Sequence, residues 1–169
     1  MSGELLTRWT AILVVACWAA RVLVAAGAAR SPRREPWSRW AWTFGGAVYL
    51  AHLAAAFEFY HDWSHRAAWE HTARNTAQTV GLDWGGGIYF NYLAAILWPV
   101  DVLLAWRKPD VSRTWAGQRG VRVFRGIVFA YISFLIANAT VVFGPAYWKW
   151  AAAVFVALAA LAWTRRSQV

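Results

Sequence analysis

Residues 57–87 carry most of the side chains in this chain that could perform acid–base or metal chemistry. Three of the four histidines and four of the eight acidic residues fall in this stretch. They are His61, His65 and His71, with Glu58, Asp62, Glu70 and Asp83. Imidazole and carboxylate groups bind zinc, copper and iron, and they are common general bases. If the chain catalyses a reaction, its sequence places the site here.

The spacing of Glu58, His61 and His65, three and then four residues, puts them along one edge of a helix. Two histidines at i and i+4 can reach one metal ion from a single helix. We therefore predict a mononuclear zinc, copper or iron site with His61 and His65 as ligands. The third ligand is one of Glu58, His71 or Asp83, and Glu58 is either a ligand or the general base. The alternative is a polar surface helix whose histidines form hydrogen bonds with neighbouring polar side chains.

His52 is the fourth histidine and lies in an apolar run, which makes it the candidate ligand for a haem. No other apolar run contains a histidine, so a haem held by two histidines of one chain is not expected. The alternative is a neutral core histidine that forms a hydrogen bond with Tyr49 or with a neighbouring helix. A transition metal in the 57–87 stretch is therefore the leading cofactor prediction, and haem is the second.

Two asparagines and two tryptophans within apolar runs could line a binding cavity. Asn91 and Asn138 both fall in the outer half of their predicted spans, so they could border a polar cavity under the histidine stretch. Trp18 and Trp98 lie deeper than the other tryptophans and could line a ligand pocket. The alternative for the asparagines is an interhelical amide hydrogen bond, which is common in membrane bundles.

The composition indicates that these residues sit in a membrane protein. Of the 169 residues, 60% are hydrophobic and only 15% are charged, whereas a soluble domain carries about 25% charged residues. Five apolar runs are long enough to cross a bilayer as helices, which takes about 20 residues. The predicted spans are 5–29, 40–60, 88–106, 123–143 and 147–163. They predict an all-α membrane bundle in a single domain, 1–169.

The polar cap, residues 61–87, has no Gly or Pro between 62 and 79. We predict that the second helix continues through it beyond the membrane and stops near Gly81. Pro99 lies inside the third span and predicts a kink or a local break there.

Basic residues set the predicted orientation, because they are concentrated in the segments that follow spans one, three and five. The positive-inside rule then puts the N-terminus outside, the C-terminus in the cytoplasm and the histidine stretch outside. We predict an integral protein of the cytoplasmic (inner) membrane. The same distribution argues against nucleic acid as the partner of this chain, despite its net charge of +9.

Arg21 and Asp101 are charged residues within predicted spans. Isolated charges in lipid are costly and usually pair inside the bundle. We predict that Arg21 and Asp101 form an ion pair or share a short hydrogen-bond network, as a clamp between two helices or as part of a proton path.

Together these patterns predict a small membrane metalloprotein, an oxidoreductase or a hydrolase that acts on a lipophilic substrate. Two alternatives remain open. One is a non-catalytic subunit, in a homo-oligomer or a larger membrane complex. The other is a module that binds haem or a small molecule, or transports one, through the Asn91 and Asn138 cavity.

Overall fold

The computed structural model describes residues 3–27, 35–107 and 115–166, which are helical apart from short connections. The helices are α1 (Gly3–Gly27), α2 (Glu35–Tyr60), α3 (His65–Val80), α4 (Gly87–Trp106), α5 (Trp115–Ala137) and α6 (Ala146–Arg166), with a π-helical segment (Asn138–Val142) after α5. None of these residues forms a β-strand. The predicted all-α class is therefore confirmed.

Four helical stretches in the described ranges are long and apolar enough to cross a membrane. They are Gly3–Ala25, Gly87–Trp106, Gly117–Val142 and Ala146–Thr164. They match the first, third, fourth and fifth predicted spans, and α4 runs unbroken through Pro99. Large apolar side chains such as Trp150 and Val154 are exposed, which suits contact with lipid. The second predicted span, 40–60, lies in α2, which is not among the four.

The helix is interrupted between α2 and α3, so the prediction of one continuous helix through the polar cap is wrong. Helix α2 ends at Tyr60 and α3 begins at His65 as a separate helix. The predicted stop at Gly81 is confirmed, because Gly81 caps α3 in the left-handed conformation with φ 74°. Glycine reaches that conformation without a steric cost.

Two tryptophans form the centre of the bundle. The rings of Trp42 and Trp98 lie 4.6 Å apart between centroids, and both side chains are fully buried. The indole N–H of Trp98 donates to the backbone carbonyl of Trp42 at 3.1 Å. Gly46 makes this approach possible, because a Cβ there would lie 3.0 Å from Cδ1 of Trp98.

A charged cluster lies next to these tryptophans. Asp101 is 0% exposed and accepts hydrogen bonds from Nε1 of Trp42 at 2.7 Å and Nε of Arg125 at 3.1 Å. The guanidinium of Arg21 lies over the Trp42 ring, 4.2 Å from its centroid, and 5.2 Å from that of Phe129. The cluster therefore holds both residues of the predicted Arg21–Asp101 pair, and it adds Arg125 as an ion-pair partner that the sequence analysis did not identify.

Candidate functional site

The turn between α2 and α3 determines where the histidines lie. Asp62 and Trp63 both adopt positive φ, 46° and 56°, which is uncommon for residues other than glycine. The indole N–H of Trp63 donates to Oε2 of Glu58 at 2.7 Å. Ser64 caps α3 by accepting a hydrogen bond from the backbone N–H of Ala67 at 3.2 Å. These contacts end α2 at Tyr60 and begin α3 at His65 as a separate helix.

This turn separates His61 from His65 and brings His61 to His71. The His61 and His71 rings lie 5.2 Å apart between centroids and meet edge to face at 71°. His61 is 8% exposed, and its Nδ1 is buried and has no hydrogen-bond partner. The prediction that His61 and His65 lie along one edge of a single helix is wrong, since the two residues belong to different segments.

His65 instead lies on the outside of the protein between two tyrosines. Its Nδ1 is 2.9 Å from the hydroxyl of Tyr92, and its Nε2 is 3.3 Å from the hydroxyl of Tyr89. Tyr89 and Tyr92 are three residues apart on α4, so both face the start of α3. The three-residue spacing of the two tyrosines was the signal in the sequence that could have identified this cluster.

The predicted carboxylates do not join His61 and His71. Glu58 is exposed and accepts a hydrogen bond from Trp63. Asp83 is exposed in the connection to α4. Glu70 forms an ion pair with Arg66 at 2.8 Å. Within the described residues, no group of three or more His, Cys, Asp or Glu side chains could hold a metal ion. His61 and His71 are therefore the pair that the structure brings together from the predicted ligands.

A cavity of about 380 Å³ lies beside this pair and is bordered by residues from all six α-helices. Its polar lining comprises Tyr49, His52, His61, His71, Thr72, Asn91 and Thr140. Trp98, Val14 and Ile132 contribute to the apolar remainder. Ligand pockets typically measure about 300–1,000 Å³ and combine an apolar lining with a few polar groups. We call this space the central cavity.

His52 is held on the wall of the central cavity by α1. Its Nδ1 lies 3.1 Å from both the hydroxyl of Thr10 and the carbonyl oxygen of Thr7. This is the hydrogen bond to a neighbouring helix that the sequence analysis gave as the alternative to haem binding. Because Nδ1 is engaged, Nε2 is the atom left to bind a haem iron.

Asn91 borders the central cavity and also a second cavity of about 310 Å³, which Asn138 lines as well. Both asparagines thus lie near the histidine stretch, on cavity walls. The hydroxyl of Tyr49 donates to the backbone carbonyl of Asn91 at 3.0 Å, which fixes this part of the wall. Their role in binding stays a prediction.

Burial controls the protonation of His61. Removal from water lowers its pKa below the ordinary value of 6.5, the nearby His71 lowers it further, and the polar backbone at Tyr60 opposes these effects. Desolvation disfavours the charged imidazolium. His61 is therefore neutral at pH 7 and can accept a hydrogen bond or bind a metal there.

Comparisons with known proteins add no assignment. The chain matches no family model, and neither the curated proteins nor the solved structures yielded a similar protein.

Proposed function

We propose that the protein is an integral membrane protein that binds a small amphipathic molecule in the central cavity. The observation that carries this proposal is the convergence of His52, His61 and His71 with Asn91 on one cavity whose remaining lining is mostly apolar. These side chains come from α2, the turn after it, α3 and α4. Polar groups inside a membrane bundle are costly and mark binding sites or pathways.

The polar end of such a ligand belongs next to His61. A buried imidazole nitrogen without a partner costs about 1–3 kcal/mol, and a hydroxyl or carbonyl group of the ligand would recover that cost. The neutral state of His61 favours an uncharged polar group over an anion. The apolar remainder of the ligand would contact Val14, Trp98 and Ile132.

The proposal includes α2 as a fifth membrane span. Helix α2 has 26 residues, long enough to cross a bilayer, and it packs between α1 and α4. Five spans place the arginine-rich segments on the cytoplasmic side of the inner membrane. The N-terminus and α3 then lie outside.

A second candidate function is metal binding by His61 and His71, favoured by the unpartnered Nδ1 and the short distance between the two rings. Zinc, copper and iron all accept imidazole ligands. Two protein ligands would leave coordination positions for water or for a lipophilic substrate in the central cavity, as an oxidoreductase or hydrolase requires. Glu58 could serve as a base only after releasing Trp63.

The test compares His61→Ala and His71→Ala with His65→Ala, a control at a histidine that does not line the central cavity. Each protein is purified in mild detergent and analysed by native mass spectrometry and by metal analysis. We expect a small molecule bound to the wild type and to His65→Ala and lost from the other two. Equal retention by all three variants, or no bound molecule in any of them, would contradict the proposal.

The same samples separate the other candidates. Stoichiometric metal that disappears in His61→Ala would favour the metalloprotein. A Soret absorbance band that disappears in His52→Ala would favour haem. Co-purifying proteins without ligand or metal would favour a non-catalytic subunit of a larger complex.

A further inference from the structure

A third cavity, of about 400 Å³, opens between α1, the π-helical segment and α6. We call it the lateral slot. Its walls are almost wholly apolar and include Val15, Trp18, Ala152, Phe155 and Val156. A slot with this lining between helices in lipid suits a hydrocarbon chain and offers little to a polar molecule.

The lateral slot adjoins the central cavity. Val15, Ile136, Thr140 and Trp148 line both spaces. They form the partition between the polar side chains of the central cavity and the outside of the bundle. A single extended molecule that occupies both spaces would pass these four residues.

The helices at this partition are the least regular part of the bundle. Residues Asn138–Val142 form a π-helix, a feature often found at functional sites. None of the described side chains of α6 is buried, and α6 packs on α1 and on the π-helical segment. A ligand in the bilayer would therefore meet the lateral slot where α6 adjoins these two elements.

The charge of the lining limits the ligand. None of the described residues that line the central cavity or the lateral slot is Lys, Arg, Asp or Glu. A phosphate or another charged head group would lack a counter-ion in either space, and burial of an unpaired charge is expensive. The head group that fits is uncharged and forms hydrogen bonds.

We infer that the ligand is an uncharged single-chain amphiphile that enters from the bilayer, with its hydrocarbon chain in the lateral slot and its hydroxyl or carbonyl group in the central cavity. This inference rests on the proposed function and names its ligand class. Transfer of the chain from lipid to the slot gains little, because lipid tails are equally apolar. The affinity comes from the polar group at the histidines, and the slot selects for one chain.

The experiment pairs Ala152→Leu, which fills the lateral slot, with Ala153→Leu, the adjacent residue, which does not line it. The probe is a long-chain alcohol with a diazirine in its chain, added to the protein in phospholipid nanodiscs. After illumination, mass spectrometry of peptides locates the adducts. We expect adducts on Trp18 or Phe155 in the wild type and in Ala153→Leu, and at least a fivefold loss in Ala152→Leu. Excess unlabelled long-chain alcohol should compete, and additional phospholipid should not.

The outcomes separate this inference from the proposed function. The inference would be overturned if the slot of Ala152→Leu were labelled as strongly as the slot of the wild type, or if phospholipid competed with the probe. Unchanged ligand retention in Ala152→Leu together with loss in His61→Ala would also overturn it, while leaving the proposed function standing. Labelling of the slot could be lost in Ala152→Leu but unchanged in His61→Ala. The hydrocarbon chain would then bind the slot independently of the central cavity, and the combined assignment would fail.

Discussion

The buried carboxylate of Asp101 offers a stability test whose size follows from its contacts. Replacement by alanine removes the acceptor of the Trp42 indole N–H and the ion-pair partner of Arg125. An orphaned buried donor costs about 1–3 kcal/mol, and breaking a buried ion pair from one side costs about 3–5 kcal/mol. The Arg125 side chain is 30% exposed and can turn toward head groups. We therefore expect Asp101→Ala to lower the free energy of unfolding by about 3 kcal/mol, the lower end of that range.

Two further variants separate the hydrogen bond from the charge. Asp101→Asn keeps an oxygen for Trp42 and loses only the charge, so it should cost about 1–2 kcal/mol. Arg125→Ala combined with Asp101→Ala should cost less than the sum of the single changes, with an interaction energy of about 1–3 kcal/mol. That coupling is the signature of a direct contact.

Unfolding in detergent micelles by added sodium dodecyl sulfate, followed by tryptophan fluorescence, measures these differences. Val100→Ala is the control, since Val100 precedes Asp101 and is 39% exposed on the outside of α4. Should Asp101→Ala prove no more destabilising than Val100→Ala, or should the Asp101 and Arg125 changes be additive, the carboxylate does not stabilise the bundle as argued.

Three further predictions test the packing and the site. Gly46→Ala should cost about 1–3 kcal/mol through overpacking against Trp98, whereas Gly126→Ala, whose Cβ would meet nothing within 4 Å, should be neutral or stabilising in the same unfolding assay. Ser64→Ala should destabilise α3 by about 1 kcal/mol, seen as faster amide hydrogen exchange in α3 and not in α4. Because the pKa of His61 is lowered on folding, the unfolded chain binds its proton first as the pH falls below 6.5. The metal-free protein should therefore lose stability from pH 7.5 to 5.5, and His61→Gln should lose less.

Apolar run length predicted most of the fold because a membrane helix must satisfy its backbone within one segment. Four of the five predicted spans coincide with apolar helices that could cross a membrane. The boundaries were less accurate. Helix α5 begins at Trp115, eight residues before the predicted span at 123, because glycines and arginines end an apolar run without ending a helix.

The contact between Arg125 and Asp101 could not be predicted from depth alone. The sequence indicated that Asp101 needs a cation, and Arg21 lies at a comparable depth. Arg125 was grouped with the arginines of the preceding basic loop, because it lies only two residues beyond the start of the predicted span at 123. The position of each arginine relative to Asp101 depends on the side from which its helix approaches Trp42, which is a property of packing.

The sequence predicted which stretch supplies histidines to the candidate site, but it did not predict which of them lie close together. On one straight helix His61 and His71 would lie about 15 Å apart along the axis, so no periodic pattern could join them. Their rings meet at 5.2 Å because a turn separates α2 from α3 between them. The sequence signals for that turn were weak. Ser64 is a good N-cap residue and Asp62 tolerates the left-handed conformation, but no glycine or proline marks the turn.

The turn itself carries a cost that argues for its role in the site. Residues other than glycine at positive φ cost about 1–3 kcal/mol each when held in sparsely populated conformations, and Asp62 and Trp63 are consecutive. The bond from Trp63 to Glu58 and the Ser64 cap offset part of that cost. A continuous helix would avoid it, but it would carry His71 away from His61 and leave the central cavity without the His71 imidazole. The break is therefore the feature that converts a row of histidines along the sequence into a pair that faces one cavity.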